Sequence, residues 1–198
     1  MTLIVYKNGE LAADNGCTRN DSREFARKIR THRNGIISVN VGYSGNLDAI
    51  ERHWREVVKR IDAGNYSFMD EYPAMNAAGI AVVTCNAPEL LPFAMPHEIE
   101  ADLNTYVFTF NCFDHATGNG VWVREHSRMV CEGADFATCS AIAIDHVAPH
   151  MSASDIIYAV AEVNSSVDTR HGIHKISNIG VETQCNSICF QRKGNNHE

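Results

Sequence analysis

The opening residues of the chain place the strongest constraint on its fold. Directly behind the first methionine, the run Thr2–Lys7 is rich in β-branched, aromatic and aliphatic side chains and predicts a β-strand. The pair Asn8-Gly9 is typical of the two-residue turn of a β-hairpin. The stretch Glu10–Asp14 then predicts the returning strand. A hairpin this tight favours a fold that contains antiparallel sheet.

Hydrophobic periodicity predicts an amphipathic helix over 46–63. Asn46 can cap its start and Gly64 can end it. Apolar residues recur at helical spacing between these two positions, so we expect one face of the helix to be buried against a sheet. The residues of that face are Ile50, Trp54, Val57, Val58 and Ile61.

Two more helices are predicted in the second half of the chain, and we expect them to pack as a pair. The first covers 134–146 and is rich in alanine, which permits close packing. The second covers 152–163 and begins with a capping box of Ser152 and Asp155. Turns are predicted over 15–22, 42–45 and 117–120. Further strands are predicted over 36–41, 80–84, 106–113, 121–123, 173–179 and 183–190.

The order of these elements indicates the fold class. Strands come first, followed by a helix, strands, two helices and strands, and this segregation predicts an α+β domain of layered sheets and helices. The chain has 198 residues, of which 44% are hydrophobic, so it can form one domain, 1–198, with a sizeable core. Residues 193–198 are expected to be a frayed tail.

Charge and cysteine usage narrow the class of function. The net charge of −7 and the lack of a dense basic patch argue against nucleic-acid binding. We see no secretory signal and no membrane-spanning run, so a cytoplasmic protein with no membrane partner is expected. The seven cysteines are scattered and odd in number, which favours reduced thiols. Cys185 and Cys189 lack a second ligand pair, and the sequence predicts no metal site and no cofactor.

Four residues near the start of the chain stand in an order that resembles a known family. Thr2 precedes the first strand, Asp14 ends LAAD, Lys28 lies in RKI, and Gly45 ends GYSG directly before the amphipathic helix. Further on, CEGADFATCSAIA resembles the glycine-led start of that family's third helix. The family is the proteasome β-subunit-like N-terminal-nucleophile (Ntn) hydrolases, and the small bacterial and phage-borne proteasome homologues are the most similar members. The resemblance covers roughly the first third of the chain and the 130–163 helix pair.

The resemblance implies a fold and a nucleophile. The fold is a four-layer αββα sandwich, in which two antiparallel sheets are flanked by helices. The nucleophile is Thr2, which becomes the first residue when Met1 is removed and then carries both a hydroxyl and a free α-amine. Such an amine has a pKa of about 7.7–8.0, so near neutral pH it can take the hydroxyl proton. A core strand that starts directly behind the first residue suits this chemistry.

The resemblance also implies roles for the other residues. Lys28 would place a positive charge near the Thr2 hydroxyl, and Asp14 would orient Lys28. The Gly45 N–H would stabilise the developing oxyanion, a contribution of about 3 kcal/mol in comparable sites. Taken singly, Thr2 is a common second residue and Lys28 an ordinary surface lysine, but the ordered set favours the catalytic interpretation.

Three function classes stay open at this point. The resemblance implies a self-compartmentalising threonine-type peptidase that acts on peptides or proteins, assembles with itself into stacked homo-oligomeric rings and works with an ATP-dependent unfoldase. The alternative is a catalytically silent ring or shell protein that retains Met1. A third class is an amidase of the same superfamily that acts on a small amide. The intact mass of the protein separates the first two.

Two supporting positions depart from the family pattern. The residue before the helix-opening Gly133 is usually a serine near the amine, whereas this chain has Glu132, whose carboxylate would favour the ammonium form. After the last helix the family often has an aspartate followed by a serine, whereas this chain has Asn-Ser-Ser-Val over 164–167. Asp168 could substitute only if the loop shifts. Residues 65–104 show no resemblance to the family.

Overall fold

Antiparallel strands and helices make up the part of the chain that the structure describes. The computed structural model describes residues 2–19, 22–67, 77–100, 103–111, 121–170, 172–177 and 179. The helices in these residues are α1 (Leu47–Asp62), α2 (Pro96–Glu100), α3 (Asp135–Val147) and α4 (Ala153–Val163). The strands are β1 (Leu3–Lys7), β2 (Glu10–Asp14), β3 (Gly16–Arg19), β4 (Ser22–Phe25), β5 (Ile29–Arg33), β6 (Ile37–Gly45), β7 (Ala77–Cys85), β8 (Thr105–Asn111), β9 (Val121–Glu125), β10 (Met129–Gly133) and β11 (Ile173–Ile176).

The predicted N-terminal hairpin is confirmed. Asn8 and Gly9 both have positive φ angles, 49° and 80°, as the favoured two-residue hairpin turn requires. This turn pairs Lys7 with Glu10 and sets the register of β1 against β2. The two strands lie at the centre of a four-stranded sheet with the order β10-β1-β2-β11, and all neighbouring pairs are antiparallel. β10 was not predicted from the sequence.

A second antiparallel sheet has the strand order β5-β6-β7-β8-β9. The prediction of a turn over 42–45 is wrong, because β6 continues to Gly45 and pairs with β7 along its whole length. A side chain at Gly42 would come within 2.7 Å of Ile4 in the first sheet. Gly42 therefore marks a close approach of the two sheets and not a strand end.

The predicted turn over 15–22 is wrong for residues 16–19 and 22, which lie in strands, and residues 20 and 21 lie outside the described residues. Residues 16–19 form β3 and pair with β4 in a separate two-stranded sheet. Gly16 has low strand propensity and the neighbouring Asn15, Asn20 and Asp21 are turn-forming residues, so the local sequence gives little sign of this pairing. The position of β3 directly after β2 places Gly16 and Cys17 beside the end of the first sheet.

The buried apolar residues form three clusters, which show that both faces of the first sheet are covered. Leu3 and Val5 of β1 pack with residues of α3 and α4, whereas Ile4 and Tyr6 pack with residues of the second sheet. This alternation follows from the two-residue period of a strand. A third cluster joins the other face of the second sheet to α1. Its members from β6 and α1 are Ile37, Val39, Val41, Tyr43, Ile50, Val57 and Ile61.

The three predicted helices are confirmed. Asn46 caps α1, because its side chain accepts a hydrogen bond from the Ala49 N–H, and the capping box at the start of α4 is formed. On α1 the residues Ile50, Val57 and Ile61 are buried as predicted, whereas Trp54 and Val58 are only partly buried. His53 takes part of their place, since it lies three residues after Ile50 on the same face and is 5% exposed.

Several predictions fall outside the described residues. These are the turn over 117–120, the strand over 183–190, the tail over 193–198, and the states of Cys112, Cys185 and Cys189. Among the described cysteines, Cys17, Cys85, Cys131 and Cys139 are free thiols. No group of three or more described His, Cys, Asp or Glu side chains is arranged to hold a metal ion. No described helix is both long enough and apolar enough to cross a membrane.

Candidate functional site

The end of β2 carries a buried carboxylate with three hydrogen-bond donors around it. Asp14 is fully buried, and its Oδ2 atom accepts a hydrogen bond from Lys28 Nζ at 2.9 Å. Its Oδ1 atom accepts one from the Leu3 N–H at 2.8 Å. The Asp168 N–H adds a longer contact of 3.3 Å to Oδ2. Since a buried carboxylate requires compensation of this kind, the three donors fix Asp14 next to the start of β1.

Lys28 lies in the segment between β4 and β5 and is 6% exposed. Burial lowers the pKa of its ammonium, and the charge and hydrogen bond of Asp14 act in the opposite direction. Cys17 and Asp168 also favour the charged form, which places both of them close to Lys28. The alternative interpretation of Lys28 as an ordinary surface lysine does not hold, because its side chain is buried and paired.

Thr2 is held against β10 through its backbone. Its carbonyl oxygen accepts a hydrogen bond from the Ala134 N–H at 3.2 Å. Gly133 pairs with Leu3 and has a φ of +142°, and a Cβ atom at this glycine would lie 2.0 Å from the Thr2 carbonyl oxygen. Only glycine fits this position, so Gly133 allows the close approach that places Thr2.

A strand-to-helix junction supplies the next part of the site. Gly45 ends β6 with a φ of +128°, a conformation that favours glycine. Asn46 follows it and caps α1. The junction is thus fixed by sheet pairing on one side and by a helix cap on the other.

A cavity of about 540 Å³ connects these groups. Thr2, Lys28 and Gly45 all line it, although they come from three separate parts of the sequence. The lining therefore includes a threonine, a buried lysine and a glycine, and Asp14 binds the ammonium of the lysine. The remaining lining residues are Gly16, Cys17, Ala26, Arg27, Tyr43, Ser44, Asn46, Leu47, Asp48 and Ile50.

The structure places Asp168 in the site, but mainly through its backbone. Its N–H contacts Asp14, while its carboxylate binds Arg170, with the Arg170 Nε atom at 3.0 Å from Oδ1. Gly16 makes room for this residue, because a Cβ atom at Gly16 would lie 2.3 Å from the Asp168 Cβ. The loop after α4 therefore does bring Asp168 to the cluster.

Glu132 lies on β10 directly opposite Ile4 of β1. It is partly buried, and this burial raises the pKa of its carboxyl, with a smaller contribution in the same direction from Asp135. Two residues further along the chain, the Ala134 N–H binds the Thr2 carbonyl, so Glu132 lies near Thr2 in the sheet register.

Sequence reasoning missed two features near the cavity: the buried Tyr43–His53 pair and the position of Cys17. The Tyr43 hydroxyl lies 2.7 Å from His53 Nδ1, and both side chains are buried. Burial, with a smaller effect of Arg60, lowers the pKa of His53 to about 4. The spacing of His53 from Ile50 and Val57 could have predicted its burial. Cys17 could not be found in this way, because its place depends on the unpredicted strand β3.

Comparisons with known proteins support the fold and nothing finer. No protein-family model matches the sequence, and no curated protein is similar to it. Eukaryotic HslV from Trypanosoma brucei superposes with a TM-score of 0.54 at 14% identity, over 89% of this chain and 98% of that chain. Anbu, an ancestral beta-subunit, from Yersinia bercovieri superposes with a TM-score of 0.54 at 11% identity, over 98% of this chain and 94% of that chain. Anbu from Pseudomonas aeruginosa, solved as a helical assembly, superposes with a TM-score of 0.54 at 10% identity, over 98% of this chain and 93% of that chain.

These likenesses define the class of the fold. HslV is a proteasome-like Ntn protease and Anbu is an ancestral β-subunit, so this chain has a proteasome-β-like fold. Its antiparallel sheets and helices agree with that class. At identities of 10–14% the likeness extends to the fold alone.

Proposed function

We propose that this chain is the subunit of a self-compartmentalising threonine-type peptidase, in which removal of Met1 exposes Thr2 as the nucleophile. One observation carries the proposal: a buried lysine, oriented by a buried aspartate, lines the same cavity as Thr2 and Gly45. A buried ion pair is weak evidence for stability, since its desolvation offsets its attraction. The place of Lys28 in the lining of a cavity that Thr2 also lines therefore favours a chemical role for the pair.

The proposed reaction is an acyl transfer. The Thr2 Oγ atom attacks the carbonyl carbon of the scissile amide while the Thr2 α-amine takes the hydroxyl proton. The same proton then goes to the leaving amine nitrogen as the C–N bond breaks, which leaves an ester on Thr2. Water hydrolyses this ester by the same route and restores the hydroxyl and the amine.

The other residues stabilise charge in this scheme. The Lys28 ammonium lowers the energy of the developing alkoxide on Thr2, and Asp14 holds the ammonium in place. The Gly45 N–H donates to the oxyanion, which contributes about 3 kcal/mol in comparable sites. Gly133 serves the geometry, because it lets β10 contact the Thr2 backbone.

The proposal includes the finer architecture that the resemblance implies. Residues 1–198 form one domain with a four-layer αββα order. The three apolar clusters support this order, because they join α1 to the second sheet, the second sheet to the first, and the first sheet to α3 and α4.

The proposal also includes assembly with further copies of the chain into stacked homo-oligomeric rings. Large apolar side chains on α3 support self-association, since Phe136, Ile142 and Val147 are 67%, 57% and 78% exposed. Rings would shelter the cavities from folded proteins in the cytoplasm. An ATP-dependent unfoldase would then supply unfolded peptide substrate. Light scattering at micromolar concentration tests this part, and a monomer would contradict it.

Intact mass and activity test the chemistry together. The purified protein should lack the mass of one methionine and should hydrolyse fluorogenic peptides. Thr2→Ala should abolish hydrolysis while the assembly stays intact, because the hydroxyl contributes little packing. Thr31→Ala, which changes an exposed threonine on β5, is the matched control and should keep full activity.

Two results would contradict the peptidase. Hydrolysis by Thr2→Ala at the wild-type rate would exclude Thr2 as the nucleophile. Retention of Met1 together with no hydrolysis would favour the silent ring or shell protein. Cleavage of small amides but not of peptides would favour the amidase.

A further inference from the structure

The sheet register places a carboxylate beside Thr2. Glu132 pairs with Ile4, Gly133 with Leu3, and the Ala134 N–H donates to the Thr2 carbonyl. Thr2 and Glu132 are therefore diagonal neighbours across the β1–β10 pair, on the same face of the sheet. Diagonal neighbours of this kind lie about 7–8 Å apart at their Cα atoms, within reach of a long side chain.

The local backbone keeps this relationship fixed. The missing side chain at Gly133 allows the Thr2 carbonyl to approach to a distance that no Cβ atom would tolerate. The hydrogen bond from Ala134 closes the pair on its other side. Thr2 is therefore held at a set distance from Glu132, whatever the rest of the cavity does.

Two carboxylates lie near the Thr2 amine, those of Asp14 and Glu132. The charge of Glu132 is less compensated than that of Asp14, so it has the larger effect on the amine. Asp14 is bonded to Lys28 and to the Leu3 N–H, so much of its charge is compensated. Among the described residues no cation forms an ion pair with Glu132, although a hydrogen bond from the Gly133 N–H acts against the burial of its carboxylate. The nearby charge from α3 is that of Asp135, and the helix also carries Cys139, Asp145 and His146.

Of the other elements around Glu132, β1 carries the cation Lys7, which is paired with Asp145 of α3 at 2.6 Å. β7 contacts β10 and offers Cys85 as its only titratable side chain. On β10 itself, burial raises the pKa of the Cys131 thiol to about 11, with a smaller effect of Glu132 in the same direction. That thiol therefore carries no charge near neutral pH. On the cavity side, Cys17 and Asp168 lie near Lys28.

We propose that Glu132 sets the proton affinity of the Thr2 α-amine, so that its ionised carboxylate holds the amine in the protonated form to a higher pH than an ordinary chain terminus. The inference rests on the proposed function, in which the neutral amine is the base. A nearby opposite charge favours the charged form of a titrating group. With glutamate at this position, hydrolysis would therefore begin at a higher pH than with serine or glutamine.

The first experiment measures kcat/KM against pH for protein that begins at Thr2, in wild type, Glu132→Gln and Glu162→Gln. The ascending limb should move about one pH unit to lower pH in Glu132→Gln. Below the limb this corresponds to a rate about tenfold higher. Glu162→Gln removes the same charge from an exposed site on α4 and should leave the limb unchanged. An unchanged limb in Glu132→Gln would overturn the inference.

The second experiment is independent of hydrolysis. The Thr2 amine is labelled by reductive methylation with ¹³C-formaldehyde, and its NMR signal is followed against pH. The amine pKa should be about one unit lower in Glu132→Gln than in wild type. Equal values would overturn the inference even in an active enzyme. A shifted value in a protein without hydrolysis would support the inference and count against the proposed function.

A third variant protects against a folding defect. Glu132→Ser has a smaller neutral side chain, and its amine pKa should equal that of Glu132→Gln if charge is the cause. Urea unfolding shows which of Glu132→Gln and Glu132→Ser keeps wild-type stability. The amine pKa of that variant is the one compared with wild type. An amine pKa that stays at the wild-type value in Glu132→Ser would show that Glu132 has only a structural role.

Discussion

The Nζ atom of Lys28 lies 2.9 Å from Oδ2 of Asp14, and the two residues are 6% and 0% exposed. The contact joins the segment before β5 to the end of β2, and Asp14 in turn accepts a hydrogen bond from the first residue of β1. The pair therefore links the start of the chain to both large sheets. Because Asp14 is fully buried, removal of this lysine would leave its carboxylate without a cation.

Lys28→Ala is expected to destabilise the protein as well as to abolish hydrolysis. It leaves Asp14 buried without its cation, and removal of one member of a buried pair costs about 3–5 kcal/mol. Urea unfolding at neutral pH measures this loss. Lys59→Ala, at an exposed position on α1, is the control and should change stability by less than about 0.5 kcal/mol. Wild-type stability of Lys28→Ala would show that Asp14 is compensated by other groups.

Gly133→Ala is expected to displace Thr2. The added Cβ would lie 2.0 Å from the Thr2 carbonyl oxygen, in a backbone conformation that already disfavours a side chain. We expect a loss of about 3 kcal/mol in the free energy of unfolding, and loss of any hydrolysis. Gly35→Ala is the control that measures backbone strain without the contact with Thr2. Gly35 also has a positive φ, but no atom lies within 4 Å of the added Cβ.

The control fixes how the Gly133 result is interpreted. Gly35→Ala should cost about 1 kcal/mol, the price of the backbone conformation alone. Equal losses at the two glycines would mean that contact with Thr2 contributes nothing.

Local signals in the sequence were sufficient to predict the elements whose ends are defined by neighbouring residues. The Asn8-Gly9 turn, the Asn46 cap and the capping box at Ser152 depend on neighbouring residues, and all three are formed. β10 was missed because its strand character comes from pairing with β1, which is distant in sequence. β3 was missed because Gly16 has little propensity for a strand and the residues around it favour turns.

The candidate site divides in the same way. Thr2, Asp14, Lys28 and Gly45 could be selected because their order along the chain resembles that of the proteasome-type family. The contact of the Asp168 backbone with Asp14 could not, since it depends on how the loop after α4 packs against Gly16.

His53 is expected to make the protein sensitive to acid. In the unfolded chain an imidazole takes up a proton near pH 6.5, whereas burial lowers the pKa of His53 to about 4 in the folded state. Between these values the unfolded state binds more protons, so stability falls as the pH drops from 6.5 toward 4. The shift corresponds to about 3 kcal/mol.

His53→Gln tests this assignment, because glutamine does not titrate and can still bond to the Tyr43 hydroxyl. Urea unfolding of both proteins is compared at pH 7 and pH 4. The stability of wild type relative to His53→Gln should fall by about 3 kcal/mol over this interval. A difference that does not change with pH would contradict the burial of a neutral His53.

The second buried lysine, Lys7, is expected to be less critical than Lys28. Its Nζ atom lies 2.6 Å from Asp145 Oδ1 and donates to the Pro149 carbonyl at 2.9 Å, which joins β1 to α3 and the turn after it. Asp145 also binds Arg128, at 2.9 Å. Since this second cation remains, we expect Lys7→Met to cost about 2 kcal/mol, less than Lys28→Ala.

The acid limb of stability identifies the cause of that loss. The hydrogen bond from Lys7 is the largest influence that lowers the pKa of Asp145, and Arg128 contributes less. A lowered carboxyl pKa stabilises the fold above the unfolded value of 3.8, and this stabilisation is lost as the pH falls through the folded value. The difference in unfolding free energy between wild type and Lys7→Met should therefore shrink below about pH 4. Arg128→Ala, at a side chain that is 55% exposed, should cost less than about 1 kcal/mol. A larger loss in Arg128→Ala than in Lys7→Met would show that Arg128, and not Lys7, holds Asp145 in place.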